Sequence, residues 1–122
     1  MSRKIDELTV EDYTQAFESA FEHIKEHEQE IIRSHFMAPG FAATASELAY
    51  HVGYDGYRGI NGQYGAFAAR VCGRLGVDLD KPGMQLDVLV TLSNREDGQV
   101  VMTMRPFVVD AIRQLSPKWL WT

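Results

Sequence analysis

Apolar and small residues recur at helical spacing in the first third of the chain. The first run is Tyr13, Ala16, Phe17, Ala20, Phe21 and Ile24, and the second is Ile31, Ile32, His35 and Phe36. Residues 25–28 between the two runs are polar, so the apolar face is interrupted there. Thr9 precedes the first run and carboxylates follow it, which is typical of a helix N-terminus. We predict two helices that meet, or one helix that bends, near residues 25–28.

Two more helices are predicted between glycines. Thr44 and Glu47 open the first, and Gly53 ends it. A turn over residues 53–59 follows, and the second helix extends from Ile60 to Leu75, before Gly76. Pro39 and Gly40 separate this pair from the N-terminal helices, because proline followed by glycine is a strong helix breaker.

Period-two alternation then predicts a β-hairpin. Its strands are residues 85–92 and 99–105, joined by a polar turn that ends at Gly98. Pro106 begins a last helix. The sequence therefore predicts one domain over residues 1–122 of the α+β class, mainly α. It has a helix-turn-helix core (38–122) with a hairpin wing and a C-terminal helix, preceded by an acidic helical arm (1–37), and is winged-helix-like.

The helix after the turn carries small residues on one side. Its core side is predicted to be Ile60, Tyr64, Phe67, Ala68, Val71 and Leu75, and its small side Gly62, Gly65, Ala66, Ala69 and Gly73. Three interior glycines weaken a helix by about 2–3 kcal/mol, so a close approach by another backbone should offset them. We expect first that part of the same domain packs there. The alternative is a nucleic-acid backbone or a partner, with Gln63, Arg70 and Arg74 beside it.

Polar and aromatic residues around the turn are also candidates. Arg58 either meets a phosphate near the helix N-terminus or is a solvated turn residue. We expect Asn61 to serve as a cap or turn residue. Tyrosines at positions 50, 54, 57 and 64 either stack on bases or, as we expect, are buried.

The charge distribution bears on possible partners. The chain has a formal charge of −5, and all of it belongs to residues 1–36, which hold 4 Lys/Arg and 9 Asp/Glu. Residues 37–122 are neutral, with 8 of each sign. A distant acidic arm does not forbid a DNA contact, because charges are screened within about 8–10 Å at physiological salt. Neutrality is nevertheless not the basic patch typical of DNA-binding proteins.

Other function classes find little support. No apolar run approaches the ~20 residues that span a bilayer, so we expect no membrane. A single cysteine, Cys72, rules out an internal disulfide and favours a cytoplasmic setting. His23 and His27 have metal-ligand spacing, with Glu30 nearby, but no fuller metal motif accompanies them and we expect no metal. Without a phosphate-binding loop, nucleophile elbow or metal cluster, neither a cofactor nor an enzyme activity is expected.

Short segments of the chain resemble a known domain. They are residues 38–49, Val52 to Tyr54, Asn61 to Gly65, and Met102 to Pro106 followed by residues 109–112. Together they resemble a small helical domain that occurs beside HNH endonucleases of the modified-DNA restriction type, and also as a stand-alone protein. The resemblance implies an accessory role in DNA recognition or restriction-linked phage defence, without cleavage.

Two functions remain as hypotheses. The first is DNA binding through Arg58, Gln63, Arg70 and Arg74, mainly by phosphate contacts. The second is a protein-interaction module or inhibitor that presents the glutamates of the N-terminal helices to a basic partner. A homodimer through the first helix is compatible with either hypothesis.

Overall fold

A computed structural model of the chain describes residues 3–79 and 84–115. Its elements are α1 (Val10–Phe21), α2 (Glu26–Phe36), β1 (Ala42–Thr44), α3 (Ala45–Val52), α4 (Tyr57–Leu75), β2 (Val90–Asn94), β3 (Val100–Met104) and α5 (Pro106–Leu115). This is the mainly helical α+β class that the sequence predicts.

The N-terminal section forms two helices, as the interrupted apolar pattern predicts. Thr9 caps α1 by accepting a hydrogen bond from the backbone N–H of Asp12. The second helix, α2, begins after Lys25, whose backbone N–H donates to the Glu28 side chain at 3.0 Å. Each new N-terminus thus has a side-chain acceptor for an N–H group that the helix itself leaves unpaired.

A short turn joins α3 to α4. Thr44 and Glu47 cap α3 reciprocally, and Gly53 ends it with φ of 82°. Only residues 53–56 separate the two helices, which is the length of a helix-turn-helix connection. The predicted seven-residue turn is therefore wrong, because α4 begins at Tyr57 rather than Ile60.

The three strands form one antiparallel sheet in the order β1-β3-β2. The predicted hairpin is confirmed, with Leu92 opposite Met102, but its first strand starts later than expected. Residues Gln85–Val88 form a 3₁₀ helix instead. The carbonyl of Asp87 accepts from Arg105 Nε, and that of Val88 accepts from the Tyr13 hydroxyl. The two side chains thus satisfy backbone carbonyls that a neighbouring strand would otherwise pair.

All five helices contribute to one hydrophobic core. Tyr13 and Phe17 of α1 are buried in it, packed against α4 and α5. At its centre, His35 is fully buried; its Nδ1 lies 2.7 Å from the Tyr64 hydroxyl and its Nε2 2.9 Å from the Met102 carbonyl. The N-terminal segment is thus part of the same core as α3 and α4, rather than an arm beside it.

Candidate nucleic-acid interface

Helix α4 has one buried side and one open side. Every residue predicted for its core side is buried in the structure: Ile60, Tyr64, Phe67, Ala68, Val71 and Leu75. The opposite side is the small-residue face, which we define as Gly62, Gly65, Ala66, Ala69 and Gly73; its members are exposed or partly exposed. Over its 19 residues α4 contains no acidic residue.

The glycines of the small-residue face do not pack against residues 3–79 and 84–115. A Cβ added at Gly62, Gly65 or Gly73 would meet nothing of these ranges within 4 Å. Within the described structure, the expectation that these glycines allow close packing inside the domain is therefore wrong. Gly59 differs, since an added Cβ there would lie 2.8 Å from Cδ2 of Tyr54. Among the α4 glycines, Gly59 alone packs closely against another described residue.

Arg70 is engaged inside the molecule. Its Nη1 and Nη2 donate to the two carboxylate oxygens of Glu28 at 2.9 and 2.6 Å. The Glu28 side chain is fully buried and that of Arg70 is 31% exposed. Hydrogen bonding to Glu28 raises the pKa of Arg70. A phosphate that recruited this guanidinium would leave a buried carboxylate unpaired, which is costly. We therefore no longer expect Arg70 to contact nucleic acid.

The other three predicted contact residues remain accessible. Arg58 is exposed in the first turn of α4, Arg74 is exposed in the last turn, and Gln63 is half-buried between them. None of the three side chains has a hydrogen bond or ion pair with any residue in the described ranges 3–79 and 84–115. Within these ranges, the guanidinium groups at the two ends of α4 are thus free to bind a ligand.

The N-terminus of α4 also lacks a side-chain cap. Gly56 occupies the cap position, and no carboxylate lies in the first turn. No described side chain accepts a hydrogen bond from the first N–H groups, which a helix itself leaves unpaired. A cleft of about 650 Å³ lined by residues 53–59 opens there. Asp55 in this turn is exposed and contributes a negative charge.

The residues around the turn differ from the expected pattern. Tyr50 is 83% exposed and Tyr57 is 50% exposed, so their predicted burial is wrong, whereas Tyr64 is buried as expected. Asn61 is neither a cap nor a turn residue, because α4 starts one turn earlier; it is exposed on the helix surface. Tyr54 is half-buried, with its ring edge-on to His27 at 6.0 Å.

The tip of the wing, residues 95–99, does not add positive charge. Arg95 lies 2.8 Å from Asp97 and 3.4 Å from Glu47, so its charge is compensated locally. Glu96 is exposed beside it. The charge of Arg95 is therefore balanced by the carboxylates around it.

Glu28 was not identified from the sequence as the ion-pair partner of Arg70. It lies three and four residues before Ile31 and Ile32, so it shares their helix face. A carboxylate at a position that the helical period assigns to the apolar face is expected to be buried, and a buried carboxylate is normally paired with a cation. This pattern could have indicated the ion pair from the sequence.

Three other kinds of site concern the described part of the chain, residues 3–79 and 84–115: a metal site, a membrane-spanning helix and a reactive cysteine. No group of three or more His, Cys, Asp or Glu side chains is placed there to hold a metal ion. No helix in the same ranges combines the length and apolarity needed to cross a membrane. Cys72 is buried as predicted, and burial raises the pKa of its thiol, which disfavours the nucleophilic thiolate.

Comparison of the chain with protein-family models, with curated proteins and with solved structures found no match.

Proposed function

We propose that this protein is a non-catalytic DNA-recognition protein that binds duplex DNA through the open side of α4. The observation that carries the proposal is the placement of α4. It is the second of two helices joined by a four-residue turn, as in a helix-turn-helix, and it has no acidic residue. Its Arg58 and Arg74 guanidinium groups have no partner among residues 3–79 and 84–115. The second helix of this motif is the one that enters the major groove in DNA-binding proteins.

The small-residue face supports the same proposal. Its three glycines lower helix stability, and residues 3–79 and 84–115 make no contact that needs them. A ligand that approaches the α4 backbone closely would supply the benefit that offsets this cost. A nucleic-acid backbone or groove wall meets this description, and the flanking arginines supply the opposite charge.

The number of free cations sets the expected strength of binding. On an arbitrary duplex, where no base is recognised, Arg58 and Arg74 would both contact phosphate, and the logarithm of the binding constant should fall with the logarithm of salt with a slope of about −2. The net charge of −5 opposes tighter association. We therefore expect weak binding to arbitrary duplexes, with dissociation constants on the order of 1–100 µM.

The biological setting follows from the resemblance alone. It suggests that the protein assists DNA recognition in restriction or phage defence, beside a nuclease. An adjacent nuclease or methyltransferase gene in the native genome would favour that setting.

The test is a binding titration with a labelled duplex at ~50 mM salt, read by fluorescence anisotropy. The double variant Arg58→Ala with Arg74→Ala should lose most of the affinity and flatten the salt slope. Arg113→Ala is the matched control, because it removes an exposed positive charge from α5 rather than α4. Absence of wild-type binding, or equal losses in the control and the double variant, would overturn the proposal.

A second candidate function is binding of a basic protein. Glu11, Glu18, Glu22 and Glu26 are exposed on α1 and near its junction with α2. The apolar stripe of α1 is buried in the core, so this surface has little apolar area to offer a homodimer, and two copies of it would repel. The variant Glu18→Gln with Glu22→Gln should release a basic partner that remains bound after nuclease treatment.

A further inference from the structure

On the basis of the proposed DNA binding, we infer that Asn61 and Arg58 read base edges in the major groove. Asn61 would recognise an adenine and Arg58 a guanine. The two residues are three apart on α4 and therefore lie on the same side of the helix. The structure places both in the first two turns of α4, the part of a recognition helix that contacts bases.

Both side chains are available for a ligand. Asn61 and Arg58 are exposed, and neither has a hydrogen-bond partner among residues 3–79 and 84–115. Asn61 thus has no cap, turn or core role in the described structure. An asparagine is also a poorer helix former than alanine or glutamine, so helix propensity gives no reason for it there.

The surroundings of Asn61 suit its short reach. Its amide extends only a few ångströms from the backbone, so α4 must enter the groove deeply for the amide to meet a base edge. Gly62 beside it and Gly65 one turn later carry no side chain, and the space beyond both is open. Arg58 has a longer side chain and reaches the groove floor from the same approach.

The chemistry of the two groups specifies the bases. A carboxamide offers one acceptor and a pair of donors, which match N6 and N7 of adenine. A guanidinium offers parallel donors, which match O6 and N7 of guanine. Three residues of helix correspond to about 4.5 Å, close to the ~3.4 Å rise of a base pair, so the two bases should be neighbours or nearly so.

Arg74 provides a contrast within the same helix. It follows Arg58 by 16 residues, which corresponds to roughly 24 Å along the helix axis. The major groove is about 12 Å wide, so the end of α4 lies beyond the bases when its beginning is in the groove. Arg74 should therefore contact phosphate and carry no sequence information.

The experiment is selection from a randomised duplex library, followed by titration of the selected duplex and of an unrelated duplex. Wild type should select adjacent A and G positions. Asn61→Ala should lower discrimination at the adenine by roughly tenfold and leave the affinity for the unrelated duplex unchanged. Arg74→Ala should weaken both duplexes equally, and Gln15→Ala, an exposed amide on α1, should change neither.

The outcomes separate this inference from the proposed function. Wild-type binding without sequence preference, or an unchanged selection by Asn61→Ala, would overturn the base-reading role and leave DNA binding standing. No wild-type binding to any duplex would overturn both. Equal affinity for the matching RNA duplex would also overturn base reading, because side chains do not reach the bases in the narrow RNA major groove. Asn61→Ala should fold normally, since the position is exposed.

Discussion

The guanidinium of Arg70 and the carboxylate of Glu28 are joined by two hydrogen bonds, 2.6 and 2.9 Å long, between α4 and α2. The carboxylate is fully buried. The backbone N–H of Lys25 donates to the same carboxylate, so one side chain both caps α2 and holds α4. Arg70 therefore stabilises the fold that presents the open side of α4, and it is not part of that surface.

Arg70→Met should destabilise the protein strongly. Removing one partner of a buried ion pair leaves an uncompensated charge, which costs about 3 kcal/mol; we take the low end of the usual range because Arg70 is 31% exposed. Chemical denaturation measures this loss. Adding Glu28→Leu should restore at least half of it, since the unpaired carboxylate is then absent. If the single and double variants were equally unstable, the ion pair would not be the cause.

Stability should also decrease in acid because of Glu28. Burial raises the pKa of this carboxyl, but hydrogen bonds from Arg70 and the Lys25 N–H outweigh burial and hold the pKa below 4.5. A carboxyl whose pKa is lower in the folded state stabilises it above pH 4.5, and this contribution disappears as pH falls below that value. Urea midpoints from pH 6 to pH 3 should fall less steeply for Arg70→Met with Glu28→Leu than for wild type.

The buried pair of His35 and Tyr64 predicts a second pH effect. Because the Met102 carbonyl only accepts, Nε2 of His35 donates to it and Nδ1 accepts from the Tyr64 hydroxyl. Burial lowers the pKa of His35 below 6.5, although its backbone hydrogen bonds oppose this. The stabilisation is complete above pH 6.5 and is lost as pH falls through the folded-state value.

Tyr64→Phe tests the pair directly. It leaves Nδ1 of His35 buried without a donor, which should cost about 1–3 kcal/mol at neutral pH. His51→Gln serves as the control, because His51 is exposed, and it should change neither stability nor its pH dependence. NMR of the His35 ring provides the independent readout: a neutral Nε2–H form that persists below pH 6.5 is expected, and protonation at that pH or above would contradict the assignment.

Local signals in the sequence predicted most of the helices. The polar break before α2, the Thr44 cap of α3 and the Pro106 start of α5 each depend on neighbours within a few residues. What the sequence did not reveal depends on distant residues. Strand β1 has three residues, too few to show alternation, and it exists because β3 pairs with it.

The same distinction explains the site. The core side of α4 follows from its helical periodicity, and its buried residues were predicted correctly. Its first turn was missed because Tyr57, Arg58 and Gly59 read as a turn, whereas the Tyr54 ring packs against the helix at Gly59. Because the predicted start of α4 was about one turn too late, Asn61 was wrongly expected to be a cap or turn residue. Arg70 pairs with a carboxylate 42 residues away in sequence, so local patterns could not reveal this contact.

Thr44→Ala should weaken the start of α3. The Thr44 hydroxyl accepts from the Glu47 N–H at 3.1 Å, and the Glu47 carboxylate accepts from the Thr44 N–H at 2.8 Å. Loss of such a cap costs about 1 kcal/mol. Ser46→Ala, at an exposed position in the same turn, should be nearly neutral. Equal effects of the two substitutions on thermal unfolding would argue against the capping role.

Substitutions at the α4 glycines should affect the free energy of unfolding and the DNA affinity differently. Gly62→Ala and Gly73→Ala place a methyl group in open space on a helix, so each should raise the free energy of unfolding by about 1 kcal/mol. Gly59→Ala should lower it, because the added Cβ would lie 2.8 Å from the Tyr54 ring.

Gly62→Leu should fold at least as stably as wild type yet lose DNA affinity several-fold, since its side chain holds the α4 backbone away from the groove. Titration of the same duplex with Gly62→Leu and with Gly62→Ala measures this difference. Unchanged affinity in Gly62→Leu would show that nothing approaches this side of α4 closely.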